Sequence, residues 1–89
     1  MILYVIENSS RDSLKVGVAE NPYERLLQLQ TGNPEKLKII ATFEYENREK
    51  ALKIEKTIHK ALGNSRVEGE WFKNITVKQI QRVILSTRI

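Results

Sequence analysis

Apolar residues recur along this chain with two different periods. Ile2 to Ile6 is apolar throughout and β-branched at three positions, which predicts a strand covered at least partly on both faces. Leu14, Val16 and Val18 alternate with Lys15 and Gly17, the period of two expected of a strand with one apolar face. Lys15 then projects on the face opposite Leu14 and Val16. The intervening Glu7 to Ser13 is polar and turn-prone, so the two strands are expected to form an antiparallel hairpin with a loop longer than two residues. Leu37 to Tyr45 is the third strand candidate.

Helical spacing takes over between and after these strands. Asn21 can cap a helix by accepting from an orphan N–H of Tyr23 or Glu24, Pro22 suits the first helical position, and Gly32, Asn33 and Pro34 supply the exit. At about 100° per residue, Tyr23, Leu26, Leu27 and Leu29 form one stripe, with Arg25 just past its Leu29 edge. From position alone Arg25 is an edge residue whose stem covers apolar surface, although its guanidinium can also reach a groove beside the core. A second helix is predicted over Arg48 to Leu62, capped by Asn47 and closed by Gly63. Ala51, Leu52, Ile54, Ile58 and Leu62 define its buried stripe, opposite Lys50, Lys53, Lys56 and Lys60.

Glu55 lies inside that stripe and His59 beside it. A carboxylate facing a core costs several kcal/mol unless it is paired or binds a cation. Two readings follow. Either Glu55 closes a buried network with His59 or Arg48, or the helix faces the floor of a cleft there. Asn64 to Gly69 reads as a polar loop, after which Trp71 and Phe72 plug the end of the core. Thr76 can cap a last helix in which Val77, Ile80, Val83 and Ile84 keep helical spacing. The order strand-strand-helix-strand-helix-helix argues for an α+β fold in a single domain over residues 1–89.

Composition narrows the function classes. The absence of cysteine excludes disulfides and thiolate metal sites, and the net charge of +4 favours polyanionic partners. The five-residue run after Met1 is too short for a signal peptide or a membrane span, so a cytoplasmic protein without membrane contact is expected.

Several stretches, in order, resemble the GIY-YIG nuclease superfamily, in particular its small phage and bacterial branch. They are ILY at Ile2 to Tyr4, KVG at Lys15 to Gly17, Arg25 followed by LQTGNP, ALKIEKTIH at Ala51 to His59, and GEWF at Gly69 to Phe72. Ile2 stands where the superfamily pattern has glycine, and Lys15 where it has tyrosine, a position at which this branch often carries lysine. Asn74 can stand for an asparagine that some relatives place near the site.

The resemblance implies a three-stranded antiparallel sheet flanked by about three helices, with one site on its surface. It implies chemistry on Tyr4, Arg25 and Glu55, with a divalent metal, Mg²⁺ or Mn²⁺, on Glu55. Lys15 and Arg25 would meet the phosphates of a DNA substrate, Tyr4 would serve as general base, and His59 would orient Glu55 or shuttle a proton. The expected activity is metal-dependent hydrolysis of DNA phosphodiester bonds, with specificity supplied by a partner protein or absent. Two alternatives belong to other classes: a non-catalytic nucleic-acid-binding module of the same fold, and a partner-binding phage protein with a satisfied Glu55–His59 network.

Overall fold

The computed structural model describes residues 1–10, 13–63, 66–68 and 71–87, with 66–68 described as backbone only. Its elements are β1 (Ile2–Asn8), β2 (Ser13–Ala19), α1 (Pro22–Gln30), β3 (Leu37–Glu44), α2 (Arg48–Ala61), β4 (Arg66–Glu68), β5 (Trp71–Lys73) and α3 (Val77–Ser86). The fold is α+β. One antiparallel sheet runs in the order β3-β1-β2-β5-β4.

Three of the five strands, β1, β2 and β3, are those predicted from hydrophobic pattern. The two beyond β2 are additions: β4 falls within the stretch expected to be a polar loop, and Trp71 lies in a strand beside β2. Three-residue strands are too short to display a period of two, which is why the pattern missed them.

Strand alternation splits the interior into two cores. On one face Leu3, Val5, Leu14, Val16 and Phe72 meet Ile54 and Ile58 of α2 and Ile80 of α3. On the other, Tyr4, Ile6 and Leu37 meet Leu26 and Leu29 of α1. β1 is therefore covered on both faces, as its continuous apolar run requires. Opposite β3, the register of β1 shifts between Val5 and Ile6, a β-bulge that leaves Ile40 without a Cα partner.

The helix ends follow local chemistry. Asn21 Oδ1 accepts from Glu24 N and Asn47 Oδ1 from Lys50 N, while Thr76 and Gln79 exchange both bonds of a capping box. Gly32, just past α1, takes φ +77°, the left-handed exit expected of it. Gly63 does not: Gly32 is the only described glycine with positive φ, and α2 ends instead on Leu62, whose N–H donates to Ile58 O.

The α1 stripe is also rotated from expectation. Leu26 and Leu29 pack inward together with buried Pro22, but Tyr23 and Leu27 are 65% and 71% exposed. A wheel shows which residues share a face, and the docking of α1 on β1 and β3 decides which face is covered.

Candidate active site

Tyr4 and Gly17 are direct partners across β1 and β2. The tyrosine ring lies so close over the glycine that a Cβ at position 17 would stand 2.3 Å from the phenolic oxygen and 2.5 Å from Cζ. Position 17 is glycine because that space is already filled. Tyr4 is only 2% exposed.

Lys15 falls on the same face by strand parity, opposite Ile6 on one side and Trp71 on the other. It is 8% exposed, and its Nζ sits 5.9 Å from the centroid of the Trp71 ring, within cation–π range. β5 thus supplies a wall for the ammonium, a use of Trp71 that the reading of a plug at the end of the core did not foresee.

Arg25 is exposed on α1, where its Nη1 donates to Gln28 Oε1 at 3.1 Å. Arg25 lines a shallow depression with Ala19 and Glu20 at the end of β2 and with Glu24 of its own helix. Its exposure fits the edge position read from the helix wheel.

Glu55 and His59 come from the other side. α2 buries Ala51, Ile54 and Ile58 against the face of the sheet opposite Tyr4 and Lys15, and half-buried Glu55 lies on its flank. The His59 ring meets Phe72 edge-on, with centroids 5.0 Å apart and planes at 75°. His59 Nε2 is buried and has no hydrogen-bond partner among the described residues, so no Glu55–His59 closure is made through that nitrogen.

The structure therefore brings Tyr4 and Lys15 together on one face, and Glu55 and His59 together on one flank of α2, with the sheet between the two pairs. Both sets approach the same strand. Phe72, against which His59 packs, pairs with Leu14 of β2, and Arg25 overlooks Ala19 at the far end of β2. β5 pairs with Ser13, Leu14 and Lys15 only, so the outer edge of β2 from Val16 to Ala19 has no strand partner among the described residues. Asn74 is exposed with φ 60° in the turn after β5, a turn role rather than a demonstrated place in the site.

Among the described residues, no three His, Asp or Glu side chains gather as a metal cage. Magnesium is commonly held by one or two carboxylates plus water and phosphate oxygens. Glu55, with the unpaired His59 Nε2 one turn away, fits such a water-rich site and does not fit an all-protein cage. Two pKa shifts lie outside the site: Lys50 holds the Glu46 carboxyl below its usual range, and burial pushes the Tyr45 phenol up.

Sequence reasoning missed one hub entirely. The Glu35 carboxylate accepts from Asn8 Nδ2 (3.3 Å), Ser9 Oγ (3.2 Å) and Ser10 N (3.2 Å). Gln30 accepts from Leu37 N at 2.8 Å and donates to Glu35 O at 2.9 Å. These bonds tie the β1–β2 loop to the α1–β3 connection. The signal was Asn33 two residues before Glu35, whose Oδ1 accepts from Glu35 N at 2.9 Å in an Asx turn.

Comparison with known families gives a match over nearly the whole chain. The model of the T5orf172 domain, a phage-related domain found in some nucleases of GIY-YIG or HNH type, covers residues 1–88. No curated protein and no solved structure matches the chain. None of the helices among the described residues is long and apolar enough to cross a membrane.

Proposed function

We propose that this chain, which belongs to the T5orf172 domain family, is a metal-dependent endonuclease of GIY-YIG type that hydrolyses DNA phosphodiester bonds. The observation that carries the reading is Lys15. A domain of 89 residues has little core to sacrifice, yet it keeps a lysine, 8% exposed as a residue, on the same face as the Tyr4 phenol, a face otherwise given to packing.

In this reading Arg25, exposed and permanently charged, clamps a phosphate and the additional negative charge that develops on it. Lys15 supplies a second cation whose position is set by Trp71. Glu55 is the protein ligand for Mg²⁺ or Mn²⁺, and His59 orients it. The metal, when bound, polarises the ester and stabilises the leaving oxygen. Tyr4 is the candidate to take the proton of the attacking water, and of the five residues it is the best placed to be held still, since Gly17 lies against its ring.

A second reading, a nucleic-acid-binding module without turnover, is favoured by one specific observation: Tyr4 is 2% exposed, which leaves a base little access to water. Nicking of supercoiled plasmid with Mg²⁺ or Mn²⁺ separates the two. Under the endonuclease reading the protein nicks the plasmid, and Glu55→Ala and Arg25→Ala each lower the rate by about 10²–10³-fold, the usual effect of removing one electrostatic contact to a transition state. Full activity in Glu55→Ala defeats the assignment of Glu55. Salt-sensitive binding with no cleavage under either metal selects the second reading.

A further inference from the structure

The two flanks of α1 differ in chemistry. Arg25 looks toward the end of β2, whereas Tyr23 looks toward β3, into a cleft of about 610 Å³ that none of the residues discussed above as catalytic enters. Its apolar lining comes from Tyr23, Leu26, Leu37 and Ile39, and exposed Lys36 brings a positive charge to it. Glu7 and Lys38 also border it, but they are cross-strand neighbours whose side chains alternate to the face of the sheet opposite Ile6, Leu37 and Ile39. Lys36 leaves the cleft with a formal charge of +1.

Tyr23 is not needed by the fold at this position. It is 65% exposed, and Leu27, one turn further along the same flank, is 71% exposed. The two lie one turn apart and make an apolar strip on an otherwise polar helix surface. The tyrosine offers a flat π-face at low conformational cost, Lys36 offers a phosphate contact, and the volume lies in the range of sites that hold one small organic group.

From this combination we infer that the α1–β3 cleft binds single-stranded nucleic acid, with one unpaired base stacked on Tyr23 and a flanking phosphate on Lys36. Charge decides the occupant: a basic cleft on a chain of net charge +4 suits a polyanion that carries its own flat apolar groups. A fully paired duplex presents its phosphates but keeps its bases stacked inside, so it can use the lysine and not the tyrosine. The inference shares with the proposed function only the premise that the partner is nucleic acid, and it concerns binding rather than cleavage.

The test is fluorescence anisotropy with a short labelled oligothymidine and, in parallel, a short mixed-sequence duplex, at low salt and in EDTA. EDTA removes the metal, so the result is independent of whether the protein cleaves. Tyr23→Ala is expected to weaken single-strand binding about 5- to 100-fold and leave duplex binding within about twofold. Lys36→Ala is expected to reduce the slope of log K against log salt by about 0.7 on the single strand. Exposure of Tyr23 predicts an unchanged melting temperature for its variant, which separates lost stacking from lost fold. Three outcomes overturn the inference: wild-type affinity for the single strand in Tyr23→Ala, equal loss on single strand and duplex, or no single-strand binding by the wild type. A protein that binds as expected but nicks no plasmid removes the nuclease reading and leaves the cleft assigned.

Discussion

Gly17→Ala is the sharpest test of the packing that fixes Tyr4. A single methyl group is added, 2.3 Å from the phenolic oxygen and 2.5 Å from Cζ, where ordinary contacts begin well above 3 Å. The oxygen is the far end of the side chain, but Cζ belongs to a rigid ring whose residue is 2% exposed, so the ring cannot swing aside without displacing Ile6, Leu26 or Leu29. Overpacking of this kind costs about 1–3 kcal/mol. Alanine in place of glycine in a strand returns about 0.5–1 kcal/mol through the unfolded chain. The net loss is about 1–2 kcal/mol. For a domain of 60–100 residues that lowers the melting temperature by about 5–15 °C. Circular dichroism during heating and during urea titration reads the effect. Tyr4→Phe should not rescue it, because Cζ remains; Tyr4→Leu should, giving a coupling energy of about 1 kcal/mol or more in the double-mutant cycle. A Gly17→Ala protein as stable as wild type in the Tyr4 background would refute the packing argument.

Other perturbations address the loops, the titrating groups and the last helix. Glu35→Ala removes the acceptor for Asn8, Ser9 and Ser10 and is expected to cost about 1–2 kcal/mol, measured by urea unfolding, with faster amide exchange in the β1–β2 loop. Burial raises the Tyr45 phenol above its usual pKa, so the unfolded chain releases this proton first as pH rises. Stability should therefore be full below about pH 10 and fall as pH climbs through the raised value. Tyr45→Phe should flatten that alkaline decline in melting temperature against pH; an unchanged slope would assign the decline to other groups. Thr76→Ala breaks the capping box of α3 and is expected to cost about 1 kcal/mol in the same unfolding assay, with Thr76→Ser retaining most of the stability.

What was legible in the sequence was what local geometry decides. Period two placed Lys15 opposite Leu14 and Val16, because successive side chains of a strand must alternate, and the register confirms it through Ile6 and Trp71. Asn21, Asn47 and Thr76 announced their helices because a cap needs only a short polar side chain at the right residue. The orientation of α1 was not legible, since Tyr23, Leu26, Leu27 and Leu29 are equally apolar and only the docked helix reveals that Leu26 and Leu29 face the sheet. The β4–β5 pair was hidden for a related reason: a hairpin of two three-residue strands is stabilised by joining β2, a tertiary event, rather than by its own pattern.

The candidate site shows the same division. Tyr4, Ile6, Lys15 and Gly17 are bound to one face by parity and register, so short of a one-residue slip Tyr4 cannot turn to the α2 side. The wheel put Glu55 inside the apolar stripe of α2 with His59 beside it, whereas Ala51, Ile54 and Ile58 are the buried residues and Glu55 is half-buried on their flank; which face of the sheet that helix covers depends on the path of the chain after β3, and no local period encodes it. A common site for all five residues therefore cannot form through the sheet. It can form only around an edge, and that requires a stretch of β2 not continued by another strand. Among the described residues the pairing of β5 ends at Lys15, and Val16 to Ala19 is such a stretch, with Arg25 above its end and the His59 flank of α2 on the Phe72 side below. Lengthening the β5 pairing along β2 should close the edge and abolish plasmid nicking while leaving Tyr23-dependent binding of oligothymidine intact; nicking that survives a verified extension of the strand would place the chemistry elsewhere.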